Sequence, residues 1–105
     1  MKLLIPLLLL IILNGGNPEQ LSIVKKWQPF FNGNQTIHLV DVPCGIEEAE
    51  GCIYLETDWI EIRKGTPYFE HVMIHELLHW KTRSTNEEYI DWLTGDLINW
   101  RNNLL

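Results

Sequence analysis

The chain is short of positive charge and keeps what it has apart. Eight Lys and Arg stand against 14 Asp and Glu, for a formal charge of −6 over 105 residues. Lys25, Lys26, Arg63, Lys64, Lys81, Arg83 and Arg101 form no cluster. A surface for nucleic acid needs clustered cations to neutralise phosphates, so that function class is excluded. A membrane-spanning run is missing too. The longest apolar stretch, Leu3 to Leu13, has eleven residues with Pro6 inside it. As a helix it would cover about 16 Å of a hydrocarbon core about 30 Å thick. There is no internal repeat and no low-complexity stretch. Cysteine is reduced to two residues, Cys44 and Cys52. A chain this small buries a modest core and commonly needs a staple or a metal.

What is present begins with that apolar run. Met1-Lys2, Leu3 to Leu13 and Asn14-Gly15-Gly16 follow the layout of a secretory signal peptide: a charged start, an apolar centre, then small residues. No Ala-x-Ala site follows, so an uncleaved N-terminal anchor is the alternative. Residues 1–16 are therefore expected to be a signal peptide or N-terminal anchor, and residues 17–105 a single folded domain. The expected location is secreted or extracytoplasmic, with residues 3–13 as the only membrane attachment. In an oxidising compartment Cys44 and Cys52 read as a disulfide closing a small acidic loop bounded by Gly45 and Gly51. The competing role, metal ligation, has no usual zinc spacing behind it.

The remaining pattern is α+β. Pro18 to Trp27 has helical apolar spacing, and Asn32-Gly33-Asn34 is a turn. Thr36 to Val42 is β-branched and stops at Pro43. In Cys52 to Arg63, Ile53 and Leu55 share one alternation phase, Ile60 and Ile62 the other. The slip near Thr57-Asp58 means two strands or one bulged strand. Thr66 and Pro67 look like the N-cap and first residue of a helix running to Thr82 or Arg83. Thr85 and Glu88 have capping-box spacing for a last helix, whose apolar stripe is Ile90, Leu93, Leu97 and Trp100. The expected fold is an N-terminal helix, a small sheet of about three strands, an active-site helix and a C-terminal glutamate helix. Trp80, Trp92 and Trp100 are expected in the core of the helical hairpin, and Trp59 in the core or along the cleft.

The chemistry sits in His75-Glu76-Leu77-Leu78-His79. Histidines at i and i+4 lie about 40° apart around a helix, with Cβ atoms roughly 6 Å apart. Both rings can reach one ion at the 2.0–2.1 Å of a zinc–nitrogen bond. Glu76, about 100° round from His75, falls beside such an ion, where it can hold a water and take its proton. Catalysis needs a third ligand. In a helical hairpin about Ser84, Glu87 faces His79 and Asp91 faces His75; one carboxylate can bind the ion while the other orients an imidazole. Glu88 is the rival ligand. His71 lies in the same stripe but about 12 Å along the axis from His79, too far to share one ion with it, and reads as a surface histidine.

His75-Glu76-Leu77-Leu78-His79 together with Asn86-Glu87-Glu88-Tyr89-Ile90-Asp91 resembles the gluzincin, or thermolysin-like, zinc metallopeptidases. At this size the chain looks most like their minimal single-domain forms, the minigluzincins. The resemblance covers residues 70–95. It implies a minimal zincin fold, Zn2+ on His75, His79 and Glu87, Glu76 as general base and acid, and Asp91 orienting a ligand. It also implies a monomer acting on a peptide or protein substrate, which would add as a strand to the β region Cys52–Arg63. Two departures stand out: only seven residues separate His79 from Glu87, and no histidine follows His79 to steady an oxyanion. Tyr89, His38 and Arg63 are the candidates for that role. A zinc-stabilised binding or inhibitor module without catalysis is the alternative function, and a membrane-anchored structural protein a third.

Overall fold

A computed structural model describes residues 11–31 and 33–104. Residues 1–10 of the expected leader, Asn32 of the expected turn and the final Leu105 lie outside the described residues. The elements run β1 (Ile12–Asn14), α1 (Pro18–Trp27), β2 (Thr36–Val40), β3 (Gly51–Tyr54), β4 (Trp59–Arg63), α2 (Phe69–Thr82) and α3 (Glu87–Asn102). The architecture is α+β, with three helices and a four-stranded sheet of order β1-β2-β4-β3. β1 and β4 both run parallel to β2, while β3 returns antiparallel to β4 and forms the far edge.

The fourth strand comes from the segment assigned by sequence to the leader. Ile12, Leu13 and Asn14 pair with Thr36, Ile37 and His38, and Ile11 is buried in the core. A continuous apolar run has no periodicity to separate an export signal from a buried strand, which is why the two readings coincide there.

Strand alternation sorts the sheet into two faces. Ile37, Ile60 and Ile62 turn inward and are fully buried with Met73, Ile74 and Leu77 of α2 and Trp27 of α1. Their neighbours His38, Trp59, Glu61 and Arg63 therefore point to the opposite face, where the Cys44 amide of the short turn Pro43–Gly45 donates to Glu61 at 2.7 Å. α1 starts at Asn17, whose side chain accepts from the Gln20 amide while the Gln20 side chain accepts from the Asn17 amide, a reciprocal cap. Its other end is tied to α2: Glu70 accepts from Lys26 Nζ at 2.7 Å and from the indole of Trp27 at 2.6 Å.

Both later helix starts differ from expectation. α2 begins at Phe69, because the Thr66 hydroxyl accepts from the Tyr68 amide in a turn and caps nothing. α3 is capped by Asn86, which accepts from the Tyr89 amide, and not by a Thr85–Glu88 box. α3 packs on α2, burying Ile90 and part-burying Leu93 and Leu97. The expected tryptophan core is a correction: Trp92 is 63% and Trp100 48% exposed, and Trp80 is half-buried under Arg83. One helix cannot cover the far side of another, so aromatic residues there stay in water. Trp27 is the buried tryptophan. Trp59 lies on the sheet's outer face, stacked on His38 with ring centroids 3.6 Å apart, away from the core and from α2.

Candidate metal centre

His75 and His79 project from successive turns of α2, and Glu87 meets them from the first turn of α3. The turn between the helices makes this possible. Arg83 adopts the left-handed conformation (φ 62°), ends α2 by donating its amide to the His79 carbonyl, and sends the chain back. Its guanidinium donates to the Leu55 carbonyl at 2.6 Å, so the turn is anchored to the β3–β4 connection.

Glu87 spans both histidines. Its Oε2 lies 3.1 Å from His75 Nε2 and its Oε1 2.6 Å from His79 Nε2. The two Nε2 atoms are 3.1 Å apart. At the back of each ring the partner is an acceptor: the Ser84 carbonyl 2.7 Å from His79 Nδ1, and Asp91 Oδ1 2.9 Å from His75 Nδ1. An acceptor behind each ring favours the tautomer with hydrogen on Nδ1, and in that tautomer Nε2 turns a lone pair inward. Two lone pairs and a carboxylate then converge with no donor among them. A cation satisfies all three at once, and the donor set of two imidazoles and one carboxylate could hold a metal ion. The fit is local to these residues: Glu88 is exposed and outside the cluster.

Glu76 lies beside the cluster, buried at 7% exposure, and is not a member of it. Burial is the main influence on its carboxyl. The His79 imidazole opposes it, Glu87 and Asp91 reinforce it, and the result is a pKa raised to about 7. Its Oε2 approaches the β3 edge closely. A Cβ built on Gly51 would come within 3.4 Å of that oxygen and within 2.4 Å of Val72 Cγ1. Only glycine lets the edge strand lie this close to α2. The cleft so formed has a volume of about 610 Å³, with Glu76, His75, Glu87 and Asp91 on one side and Ala49, Glu50 and Gly51 on the other.

The segment before β3 is pinned twice. Cys44 and Cys52 form a disulfide, as expected from the sequence, with Cα atoms 6.2 Å apart. Arg63 donates to the carbonyls of Asp41 (2.8 Å), Ala49 (2.8 and 3.0 Å) and Glu47, and pairs with Glu50 at 3.2 Å. Arg63 is thereby consumed on the outer face and is no oxyanion donor. His38 faces the same outer side, and Tyr89 stands exposed beside Trp92; neither lines the cleft. Beyond Glu76 and the residues around the histidines, the polar side chains that line it are Glu50, Tyr68 and His71. His71 is exposed, as the sequence reading expects, and its helical spacing from His75 puts it on the cleft side of α2.

No protein-family model, no curated protein and no solved structure matches the chain. The disulfide is compatible with an extracellular location, and no described helix is long and apolar enough to cross a membrane.

Proposed function

We propose that this chain is a small exported zinc peptidase of gluzincin type, a minimal zincin in which His75, His79 and Glu87 hold Zn2+. The observation that carries the reading is the convergence of three acceptors beside a buried carboxylic acid, at the edge of a sheet. Two imidazoles and a carboxylate are a donor set that leaves a fourth position open on zinc. When bound there, the metal would supply a Lewis acid that polarises the scissile carbonyl and makes a water acidic.

The chain's own residues do the rest. Glu76 takes a proton from the attacking water and returns it to the departing nitrogen, a task for a buried carboxyl that stands beside the ligands without being one of them. Asp91 and the Ser84 carbonyl hold the two imidazoles in the tautomer that presents Nε2. β3, an edge strand of the sheet among the described residues, offers backbone groups to an extended peptide. The substrate is thus a peptide or unfolded protein segment laid between β3 and α2.

Glu76→Gln tests the reading. Amide and acid have the same shape, but the amide takes no proton. With zinc loaded to the same stoichiometry, hydrolysis of an unfolded protein substrate should fall by about 10²–10⁴-fold. Undiminished turnover in the variant would remove Glu76 from the chemistry. A zinc-loaded parent that cleaves no peptide would leave a binding module in place of the enzyme.

A further inference from the structure

We infer that a bound peptide runs past the metal cluster in both directions and seats one apolar side chain in a second hollow, walled by Ile46, Ile53 and Leu55. This rests on the peptidase reading, which fixes where the scissile bond lies. It adds a specificity pocket, and it makes the cut an internal one rather than the removal of a terminal residue.

Two hollows meet at the cluster. Beside the cleft of about 610 Å³ lies one of about 300 Å³, and Gly51, Glu76 and Glu87 line both. The smaller continues along β3 toward the β3–β4 connection, on the side away from Glu50 and His71. Ile53 stands opposite Ile60 on the inner face of the sheet, two residues beyond Gly51 and so about 7 Å along the strand. A peptide added to β3 points every second side chain to that same face. The seat therefore falls within about two residues of the bond held beside the cluster.

The seat is apolar and its rim is held ready. Apart from Glu76 and the cluster's own His79 and Glu87, no charged side chain lines it. A charged group entering it would lose water and find no uncommitted partner. Ile46 is 52% exposed, yet its amide donates to the Pro43 carbonyl at 2.9 Å and its carbonyl accepts from the Ala49 amide at 3.1 Å. The Cys44–Cys52 disulfide and the Arg63 bonds to the Glu47 and Ala49 carbonyls fix the rest of that loop. A ligand that covers Ile46 therefore has little backbone left to order.

Neither hollow is built to hold a chain end. No Lys or Arg lines either one among the described residues, so an α-carboxylate has no such cation to meet. In the larger hollow Glu50 is paired with Arg63 and Asp91 with His75, which leaves no spare acid for an α-amine.

End-blocked peptides that differ only in the few residues around one cut site test it, on the zinc-loaded full chain with products read by mass spectrometry. The parent should cut inside them, and at one position Leu should exceed Lys or Asp by about tenfold or more in kcat/KM. Ile46→Glu, a change at a half-exposed loop position, should turn the preference at that same position toward Lys and Arg. On Glu76→Gln the same peptides should bind with the parent's Leu preference, read by fluorescence anisotropy. An unchanged preference in Ile46→Glu, or trimming of free-ended peptides with no cut in blocked ones, overturns the seat. Peptides bound with the Leu preference but never cut by the parent keep the seat and overturn the peptidase reading. A parent that neither binds nor cuts them overturns both.

Discussion

Asp91 Oδ1 stands 2.9 Å from His75 Nδ1, reaching across from α3 to fix the ring that opens α2's histidine pair. Such a partner sets the tautomer and raises the basicity of the opposite nitrogen. Asp91→Asn should lower zinc affinity at the His75–His79–Glu87 centre by about 10–100-fold, without loss of helix content by circular dichroism. Asp96→Asn, on the same helix but outside the cluster, should leave it unchanged. Equal losses in both variants would mean that general surface charge, and not the contact with His75, sets the affinity.

Glu87 and Glu88 are adjacent acids with opposite expectations. Both are exposed, but Glu87 touches both inward nitrogens whereas Glu88 lies outside the cluster. Glu87→Gln should abolish tight zinc binding, because an amide is a poor ligand and leaves two imidazoles alone on the ion. Glu88→Gln should bind like the parent. A competition assay with a chromophoric chelator reads both; matched behaviour would reassign the third ligand.

The pair His75 and His79 was legible because helical spacing alone brings them together, and the hairpin about Ser84 was enough to bring Glu87 and Asp91 opposite. The backbone contributions were not. The Ser84 carbonyl behind His79 and the three carbonyls gathered by Arg63 leave no mark in a side-chain pattern, so Arg63 looked free for catalysis when it is occupied in structure. Helix α1 was readable to its bounds, since Pro18 and the residues before Pro29 punctuate it. The starts of α2 and α3 were not, because several Thr, Ser and Asn residues compete for each cap and tertiary packing chooses among them. β1 was hidden for a different reason: its residues are as apolar as an export signal.

Arg63 and the disulfide hold the same segment, so each should mask the loss of the other. Arg63→Lys replaces a planar fork of donors by one ammonium that cannot reach all of its carbonyl partners. With Cys44–Cys52 intact, limited proteolysis of residues 41–50 should rise modestly. After reduction, cleavage should exceed that of the reduced parent by about tenfold, equivalent to about 1.4 kcal/mol of segment opening. Equal cleavage of the two reduced proteins would show that Arg63 adds nothing to the rim of the cleft.

Glu70 connects α1 to α2 and predicts a pH dependence of stability independent of any metal. Burial by itself would raise its pKa. Hydrogen bonds from Lys26 and Trp27, aided by the charges of Lys26 and Arg101, outweigh that and hold the carboxyl below its ordinary value. An acid with a depressed folded pKa stabilises the native state fully above its unfolded pKa of about 4.3, and the contribution is lost as pH falls through the folded value. Glu70→Gln keeps an acceptor for the buried indole and loses the charge, so at neutral pH it should cost about 1–3 kcal/mol. For a chain this size that is roughly 4 °C or more in Tm. The gap between parent and variant should stay constant from neutrality down to about pH 5 and close below about pH 4. Thermal melts of metal-free protein across that range measure it. A gap that persists undiminished at low pH would show that the variant loses packing rather than charge, and that Lys26 and Trp27 do not depress Glu70 in the folded chain.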